Sequence, residues 1–164
     1  MKKIIVIGCP GSGKSTFSKE LHNITGIPLY HLDMMFWNSN KTAVEKNVFL
    51  DRLNAVLRKD EWIIDGNYES TMELRIQWCD TVVFLDYPLD FCLEGVAVRR
   101  GKPRSDMPWI ESDEEDAKFI EFIKNYTSQS RPKVMALLNK YSDKTIHIFT
   151  NRNEANEFLA QIQR

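Results

Sequence analysis

The feature that most constrains this chain is the stretch IVIGCPGSGKSTF at residues 4–16. An apolar run ends in GCPGSGKS, residues 8–15, which fits the pattern GxxxxGK[ST] without a mismatch. The pattern directly follows a predicted strand and opens a predicted helix. Its glycines allow successive backbone N–H groups to point at phosphate oxygens, and the helix N-terminus adds partial positive charge. Nucleotide phosphates are therefore the predicted ligand of this phosphate-binding loop.

The residue types in this loop predict distinct roles. The Lys14 ammonium can reach the β- and γ-phosphates, and the Ser15 hydroxyl can ligate Mg²⁺. The residues predicted to contact the nucleotide are Gly8, Pro10, Gly11, Ser12, Gly13, Lys14, Ser15 and Thr16. The predicted cofactors are thus a nucleoside triphosphate and Mg²⁺.

Composition excludes several classes of protein. Of the 164 residues, 43% are hydrophobic and 27% charged, and the net charge of −1 gives no overall attraction to nucleic acids or anionic membranes. Three dispersed cysteines, Cys9, Cys79 and Cys92, lack the spacing of a zinc site or a disulfide framework, which favours a reducing compartment. The first apolar run is too short for a signal peptide, and no later run could cross a membrane. We expect a cytoplasmic protein.

Short apolar runs alternate with helical patterns along the chain, which is typical of a parallel sheet with crossover helices. Strands are predicted at 3–8, 28–33, 61–65, 80–88 and 144–150. Helices are predicted at 14–24, 44–59, after Gly66, through 89–100, and at 117–126, 131–141 and 153–163. In the helix at 44–59, Val48, Leu53, Val56 and Leu57 are predicted to share one apolar stripe. The prediction is one α/β domain over residues 1–164.

Residues 101–116 form the one long stretch without periodicity. Arg104 stands near its start, and six acidic residues follow. Long irregular loops in compact domains are usually functional. The segment is either a solvated acidic loop or a lid that closes over a ligand.

The sequence also bears on the fate of the γ-phosphate. A regulatory GTPase would carry a DxxG switch and an NKxD loop, but DxxG is absent and NRNE at 151–154 is a poor match. A motor-type ATPase would carry Asp-Glu at the end of a strand, whereas IIDG at 63–66 offers one acid for magnesium and no adjacent glutamate. The small size and the arginines near residues 101–116 favour transfer to a bound acceptor, which is a kinase reaction.

Taken together, the phosphate-binding loop, IIDG, the arginine pair before the lid segment and the terminal strand and helix resemble the adenylate kinase and shikimate kinase group. More narrowly, YHLDMMFW, IIDGNYESTMELRIQWCDTVVFLDYP and RPKV resemble the bacterial topology modulation proteins. The resemblance implies a three-layer P-loop NTPase fold with five parallel strands, ATP as the donor, and a lid. It implies no particular acceptor.

The same resemblance suggests roles for three residues. Asp33 matches an aspartate that holds the acceptor hydroxyl and can take its proton; a helix cap or turn acid is the alternative. Asp65 matches the position whose carboxylate reaches Mg²⁺, usually through water. Arg131 matches an arginine that returns from the lid to clamp an anionic group.

Arginines around the lid segment are candidates for stabilising the transferring phosphoryl group. Arg99, Arg100 and Arg104 form such a cluster, although cations at a helix C-terminus are favourable in any case. Gly95 stands where the resembled group has an arginine able to stack on adenine, which leaves ATP or GTP open as the donor. Arg152 could cover the base instead. Arg75 could meet the acceptor or be an exposed helix arginine.

Other residues receive structural rather than functional predictions. The aromatic group Tyr30, Phe36 and Trp37, with Met34 and Met35, is expected in the core before an acceptor pocket. The three histidines show no metal spacing and are expected to be structural or exposed. The leading prediction is an ATP- and Mg²⁺-dependent kinase of a small molecule or nucleotide. The alternatives are a nucleotide-binding regulator of DNA topology and a simple NTPase, and direct DNA binding is not expected because the basic residues of 99–104 are offset by acids.

Overall fold

Five short strands pair in parallel to form the centre of the protein. The computed structural model describes residues 1–164, and the strands are β1 (Lys3–Gly8), β2 (Leu29–His31), β3 (Trp62–Asp65), β4 (Thr81–Leu85) and β5 (Thr145–Phe149). Their order across the sheet is β2-β3-β1-β4-β5, and every neighbouring pair is parallel. The predicted α/β class with five parallel strands is confirmed.

Eight α-helices connect and cover the strands. They are α1 (Lys14–Thr25), α2 (Leu32–Phe36), α3 (Lys46–Leu57), α4 (Glu69–Trp78), α5 (Leu89–Arg99), α6 (Ala117–Asn125), α7 (Arg131–Lys140) and α8 (Arg152–Ile162). A π-helical turn, Tyr126–Ser130, joins α6 to α7. None of the helices is both long and apolar enough to span a membrane.

The sheet is buried on both faces, which explains why its central strands are apolar without interruption. Successive side chains of a strand point to opposite faces. One face packs against α3, α4 and α7 through Ile5, Ile7, Ile64, Val82 and Phe84. The other face packs against α1 and α8 through Ile4, Val6, Ile63, Val83 and Leu85. The result is three layers, helix, sheet and helix.

Two details differ from the sequence prediction. β2 ends at His31, so Asp33 lies in the short helix α2 rather than at the end of a strand. Val48, predicted on the apolar stripe of α3, is 38% exposed, and Phe49 is buried in its place. Phe49 precedes Leu53 by four residues and therefore shares its face, whereas Val48 is rotated away by a further residue.

The lid segment, residues 101–116, is irregular as predicted. Neither helix nor strand occurs between the end of α5 at Arg99 and the start of α6 at Ala117. The Asp116 carboxylate accepts hydrogen bonds from the backbone N–H groups of Lys118 and Phe119, at 3.0 and 3.2 Å. This cap fixes where α6 begins and where the segment ends.

Candidate active site

The phosphate-binding loop connects β1 to α1 at the carboxyl edge of the sheet, where ligands bind in open α/β folds. Gly11 and Gly13 have φ angles of 83° and 91°, in the left-handed region that favours glycine. α1 begins at Lys14, directly after Gly13. All the predicted nucleotide-contacting residues of the loop lie between the last residue of β1 and the first turn of α1, and their contacts with a nucleotide stay a prediction.

Lys14 is held by the loop that it belongs to. Its Nζ donates hydrogen bonds to the backbone carbonyls of Gly8 at 2.9 Å and Cys9 at 3.2 Å. Burial, and then the nearby Arg99 cation, lower the pKa of Lys14. A buried cation beside the loop is an electrostatic partner for phosphate oxygens.

Two serine hydroxyls of the loop region are buried without any hydrogen-bond partner. They are Ser12 Oγ and Ser15 Oγ. A buried polar atom without a partner is uncommon and calls for an explanation. Phosphate oxygens and Mg²⁺ are groups that such hydroxyls contact, so the residues present fit both.

Asp65 ends β3 and lies opposite His31, which ends β2, in the parallel register. The His31 Nδ1 and Asp65 Oδ2 atoms are 2.7 Å apart. Burial alone would lower the pKa of His31, but the hydrogen bond and charge of Asp65 outweigh it and raise that pKa. The sequence prediction named Asp65 but gave His31 no role; the adjacency of the two strand ends is the signal that pairs them.

Asp33 and Tyr68 meet across the ends of β2 and β3. The Tyr68 hydroxyl donates a hydrogen bond to Asp33 Oδ1. Burial raises the pKa of Asp33, while the Tyr68 hydrogen bond and the Lys14 charge act in the opposite direction. Asn67 ties the same turn to the phosphate-binding loop, because its Oδ1 accepts from the Gly8 N–H at 3.0 Å. The acid is thus fixed in place beside the loop.

The lid arginines pair with the acidic residues that follow them. Arg99 Nε lies 3.4 Å from Glu111 Oε2, and Arg104 Nη2 lies 3.0 Å from Glu111 Oε1. Arg104 Nε also lies 3.7 Å from Asp106 Oδ1. One glutamate therefore joins two arginines, and the acids do more than solvate a loop.

Arg100 and Arg131 are held apart from this pair. Arg100 Nη1 lies 3.7 Å from Glu115 Oε2, whose side chain is 60% exposed. The resemblance implies that Arg131 clamps an anionic group, but Arg131 does not line the cavity that contains the phosphate-binding loop. It instead makes a two-pronged ion pair with Asp86 after β4, with nitrogen–oxygen distances of 2.8–3.0 Å. The Asp86 carboxylate thus pairs with the Arg131 guanidinium outside the cavity.

Arg75 is buried, so the prediction of an exposed helix arginine is wrong, and Arg75 does not line the cavity in which an acceptor would bind. It donates to the carbonyls of Gly66 at 3.0 Å and Tyr68 at 3.2 Å, and also to that of Asn67. It fixes the turn that carries Asn67 and Tyr68 rather than contacting solvent or a ligand.

Arg152, predicted in the loop after β5, is the first residue of α8 and lies beside the phosphate-binding loop, because a Cβ added at Gly13 would lie 3.9 Å from its Nη2. Its guanidinium lies 5.2 Å from the ring centre of Phe91 on α5. Both residues line the cavity together with Gly95. A cation and an aromatic ring at this position form a surface on which a nucleobase could lie.

A single cavity of about 1330 Å³ joins these groups. Its lining includes the loop, Asp33, Asp65 and the predicted arginines Arg99, Arg100, Arg104 and Arg152. Trp37, which the sequence pattern predicts in the core, also lines the cavity, as do Lys41 and Trp109, for which the pattern predicts no role. The lid segment supplies Trp109, and only the folded chain shows that it lines the same cavity as the loop.

Comparison with solved structures places the fold among the shikimate kinases. A shikimate kinase from Acinetobacter baumannii, in complex with shikimate, is similar with a TM-score of 0.65 and 15% identity, covering 99% of this chain and 90% of that chain. A shikimate kinase from Bacteroides thetaiotaomicron gives 0.64 and 17%, covering 98% and 95%. No family model and no curated protein matches the sequence. The likeness establishes a P-loop NTPase fold of the shikimate kinase type.

Proposed function

We propose that the protein is an ATP- and Mg²⁺-dependent kinase that transfers the γ-phosphate to a small acceptor held beside Asp33. The observation that carries the proposal is that the phosphate-binding loop and Asp33 line the same cavity. A donor in the loop and an acceptor at Asp33 would then share one enclosed space. Such positioning accounts for much of the catalysis of phosphoryl transfer.

Several residues of the cavity have a task in this reaction. The loop N–H groups and Lys14 bind the triphosphate. The Asp33 carboxylate, oriented by the Tyr68 hydroxyl, accepts a hydrogen bond from the acceptor hydroxyl and takes its proton as the new bond to phosphorus forms. Arg99 and Arg104 neutralise charge that develops on the phosphoryl oxygens. Closure of the lid segment would exclude water, so that the acceptor rather than water receives the phosphate.

Ser15 and Asp65 are the residues that would hold Mg²⁺. The ion, when bound, supplies positive charge that neutralises the phosphate oxygens. The unpartnered Ser15 hydroxyl supports this role. His31 fixes the orientation of the Asp65 carboxylate.

Release of ADP from ATP and Mg²⁺ with a panel of acceptors tests the proposal. We expect Lys14→Ala to abolish acceptor-dependent ADP release while its circular dichroism spectrum stays that of the parent. Lys59→Ala, an exposed lysine after α3, is the matched control and should keep full activity. A Lys14→Ala enzyme that works at the full rate would overturn the proposal.

The alternatives make different predictions in the same experiment. A simple NTPase would release ADP at a rate that no acceptor changes. A regulator of the topology modulation type that contacts DNA would bind it with a steep salt dependence. The pairing of the lid arginines with carboxylates disfavours DNA contact there. Buried, free cysteines suit a reducing compartment, and we place the activity in the cytoplasm.

A further inference from the structure

The two halves of the cavity are set by the order of the strands. β1, which carries the phosphate-binding loop, lies at the centre of the sheet, with β4 and β5 on one side and β3 and β2 on the other. Arg152 and Phe91 follow β5 and β4, and they form the half suited to the nucleobase. Asp33 and Tyr68 follow β2 and β3. The acceptor half, which also contains Trp37 and the lid residues Asp106 and Trp109, is therefore on the β2 side.

Cations in the acceptor half are already matched by carboxylates. Glu111 contacts both Arg99 and Arg104, and Asp106 contacts Arg104 as well. Arg131 and Arg75 are engaged outside the cavity. Lys14 belongs to the loop and to the phosphates of the donor. Every arginine that an anionic acceptor could contact here therefore already has a carboxylate beside it.

Two lysines that line the cavity on this side form no ion pair, Lys19 and Lys41. The charge of Lys19, on α1, acts on His31, which pairs with Asp65. Lys41 is exposed, and its Nζ lies 5.2 Å from the centre of the Trp109 ring. An exposed ammonium keeps its hydration and gives little binding energy to a second charge. The attraction that it offers is small beside the repulsion from the two carboxylates of this half.

Asp33 and Asp106 provide hydrogen-bond acceptors, and neither carboxylate brings an unpaired cation that could bind an anionic ligand. Asp106 is 7% exposed, and it lines the same cavity as Asp33. Ionised carboxylates accept hydrogen bonds and donate none. Hydroxyl groups of a ligand match them, whereas a carboxylate or phosphate on the ligand would be repelled.

Two tryptophans with perpendicular rings give this half an apolar surface. The rings of Trp37 and Trp109 meet edge to face, with their centres 6.1 Å apart. The indole N–H of Trp109 has no hydrogen-bond partner. Aromatic faces bind the planar bases and the C–H faces of rings, while the polar edge contacts a hydroxyl.

Resting on the proposed kinase function, we propose that the acceptor is an uncharged ring compound that carries several hydroxyls, of the nucleoside or sugar kind, and is not an acid or a nucleotide. Its hydroxyls bind Asp33 and Asp106, and its ring packs on Trp37 and Trp109. One hydroxyl oxygen forms the bond to the γ-phosphorus as the bond from that phosphorus to the ADP oxygen breaks. The hydroxyl proton passes to Asp33, and ADP leaves.

Matched pairs of compounds that differ only in charge test this inference. The pairs are methyl shikimate and shikimate, a nucleoside and its 5′-monophosphate, and glucose and glucuronate. Binding is measured by tryptophan fluorescence with Mg²⁺ and a non-hydrolysable ATP analogue, and transfer by ADP release from ATP. In the pair that binds best, we expect the uncharged member to bind at least tenfold more tightly and to be the better substrate. The pair that responds also separates nucleoside-like from sugar-like acceptors.

The outcomes distinguish this inference from the kinase proposal. In the pair that binds best, tighter binding of the charged member or equal binding of both members overturns the inference. The absence of binding by any compound of the three pairs also overturns it. Preferential binding of an uncharged compound without any ADP release overturns the kinase proposal and upholds only the preference of this half of the cavity for an uncharged ring compound. Asp106→Asn should reduce the discrimination several-fold, because it removes one of the repelling charges. Glu121→Gln, an exposed change on α6 outside the cavity, should leave it unaltered.

Discussion

Gly11 in the phosphate-binding loop and Gly95 in α5 approach so closely that neither position has room for a side chain. A Cβ added at Gly95 would lie 2.2 Å from the carbonyl oxygen of Gly11, and one added at Gly11 would lie 2.0 Å from the carbonyl oxygen of Cys92. This contact explains why α5 contains a glycine where the resembled kinases carry an arginine. The helix backbone itself supports the loop.

Gly95→Ala should therefore destabilise the protein and weaken ATP binding. Helix propensity alone would make alanine more favourable by about 1 kcal/mol, but the added methyl group must displace the loop backbone. Ala97→Gly, at an exposed position of the same helix, is the matched control and should follow propensity alone, with a loss of about 1 kcal/mol and unchanged ATP affinity. Urea unfolding and titration with ATP measure both effects. A Gly95→Ala protein that is more stable and binds ATP normally would contradict the contact.

The sequence was sufficient for the parts of the molecule that depend on local patterns. The GxxxxGK[ST] loop and the five apolar runs predicted the sheet and the position of the phosphate site. Contacts between distant segments were not predictable in this way. The pairing of Arg131 with Asp86 and the burial of Arg75 depend on which carboxylate or carbonyl the fold places beside each guanidinium. Residue type alone does not determine that.

Ser15→Ala tests the magnesium site against a control on the same helix. The Ser15 and Ser18 hydroxyls are both buried without partners, so replacing either one should leave the free energy of unfolding unchanged or raise it by about 1 kcal/mol. Only Ser15 is expected to meet Mg²⁺. Its replacement should weaken the apparent Mg²⁺ affinity about tenfold or more, while Ser18→Ala should not. Equal Mg²⁺ dependence in the two variants would exclude Ser15 as a ligand.

Asp33→Asn should exchange activity for stability. Burial raises the pKa of Asp33, so the unfolded chain loses this proton at a lower pH than the folded protein does. The ionised carboxylate therefore lowers stability progressively as pH rises from about 4 through the folded-state pKa. At pH 7 the variant should melt at a higher temperature than the parent, and the difference should vanish below pH 4.

The same substitution should slow acceptor-dependent transfer on the order of 100-fold, because the proton acceptor is lost. Asp51→Asn, an exposed carboxylate on α3, is the control for both measurements. Unchanged turnover in Asp33→Asn would exclude Asp33 as the base.

Cys9 should resist alkylation in the folded protein although it belongs to the phosphate-binding loop. It is 3% exposed, and the hydrogen bond with Cys92 together with burial raises the pKa of its thiol. Only the thiolate reacts readily. With iodoacetamide at pH 8, mass spectrometry should find Cys9 modified in urea and largely unmodified without it. Protein alkylated at Cys9 and refolded should lose ATP affinity, and rapid modification of the folded protein would contradict the burial.

The contacts of Arg75 predict that the conformation of the acceptor half depends on this residue, although it does not line the cavity. Arg75→Met would leave the carbonyls of Gly66, Asn67 and Tyr68 without this donor, at about 1 kcal/mol or more for each carbonyl that finds no other partner. We expect a loss of about 3 kcal/mol in urea unfolding. We also expect a higher KM for the acceptor, because Tyr68 no longer orients Asp33. Arg58→Met, exposed at the end of α3, should change neither quantity. An Arg75→Met protein with parental stability would show that the turn holds its conformation without the guanidinium.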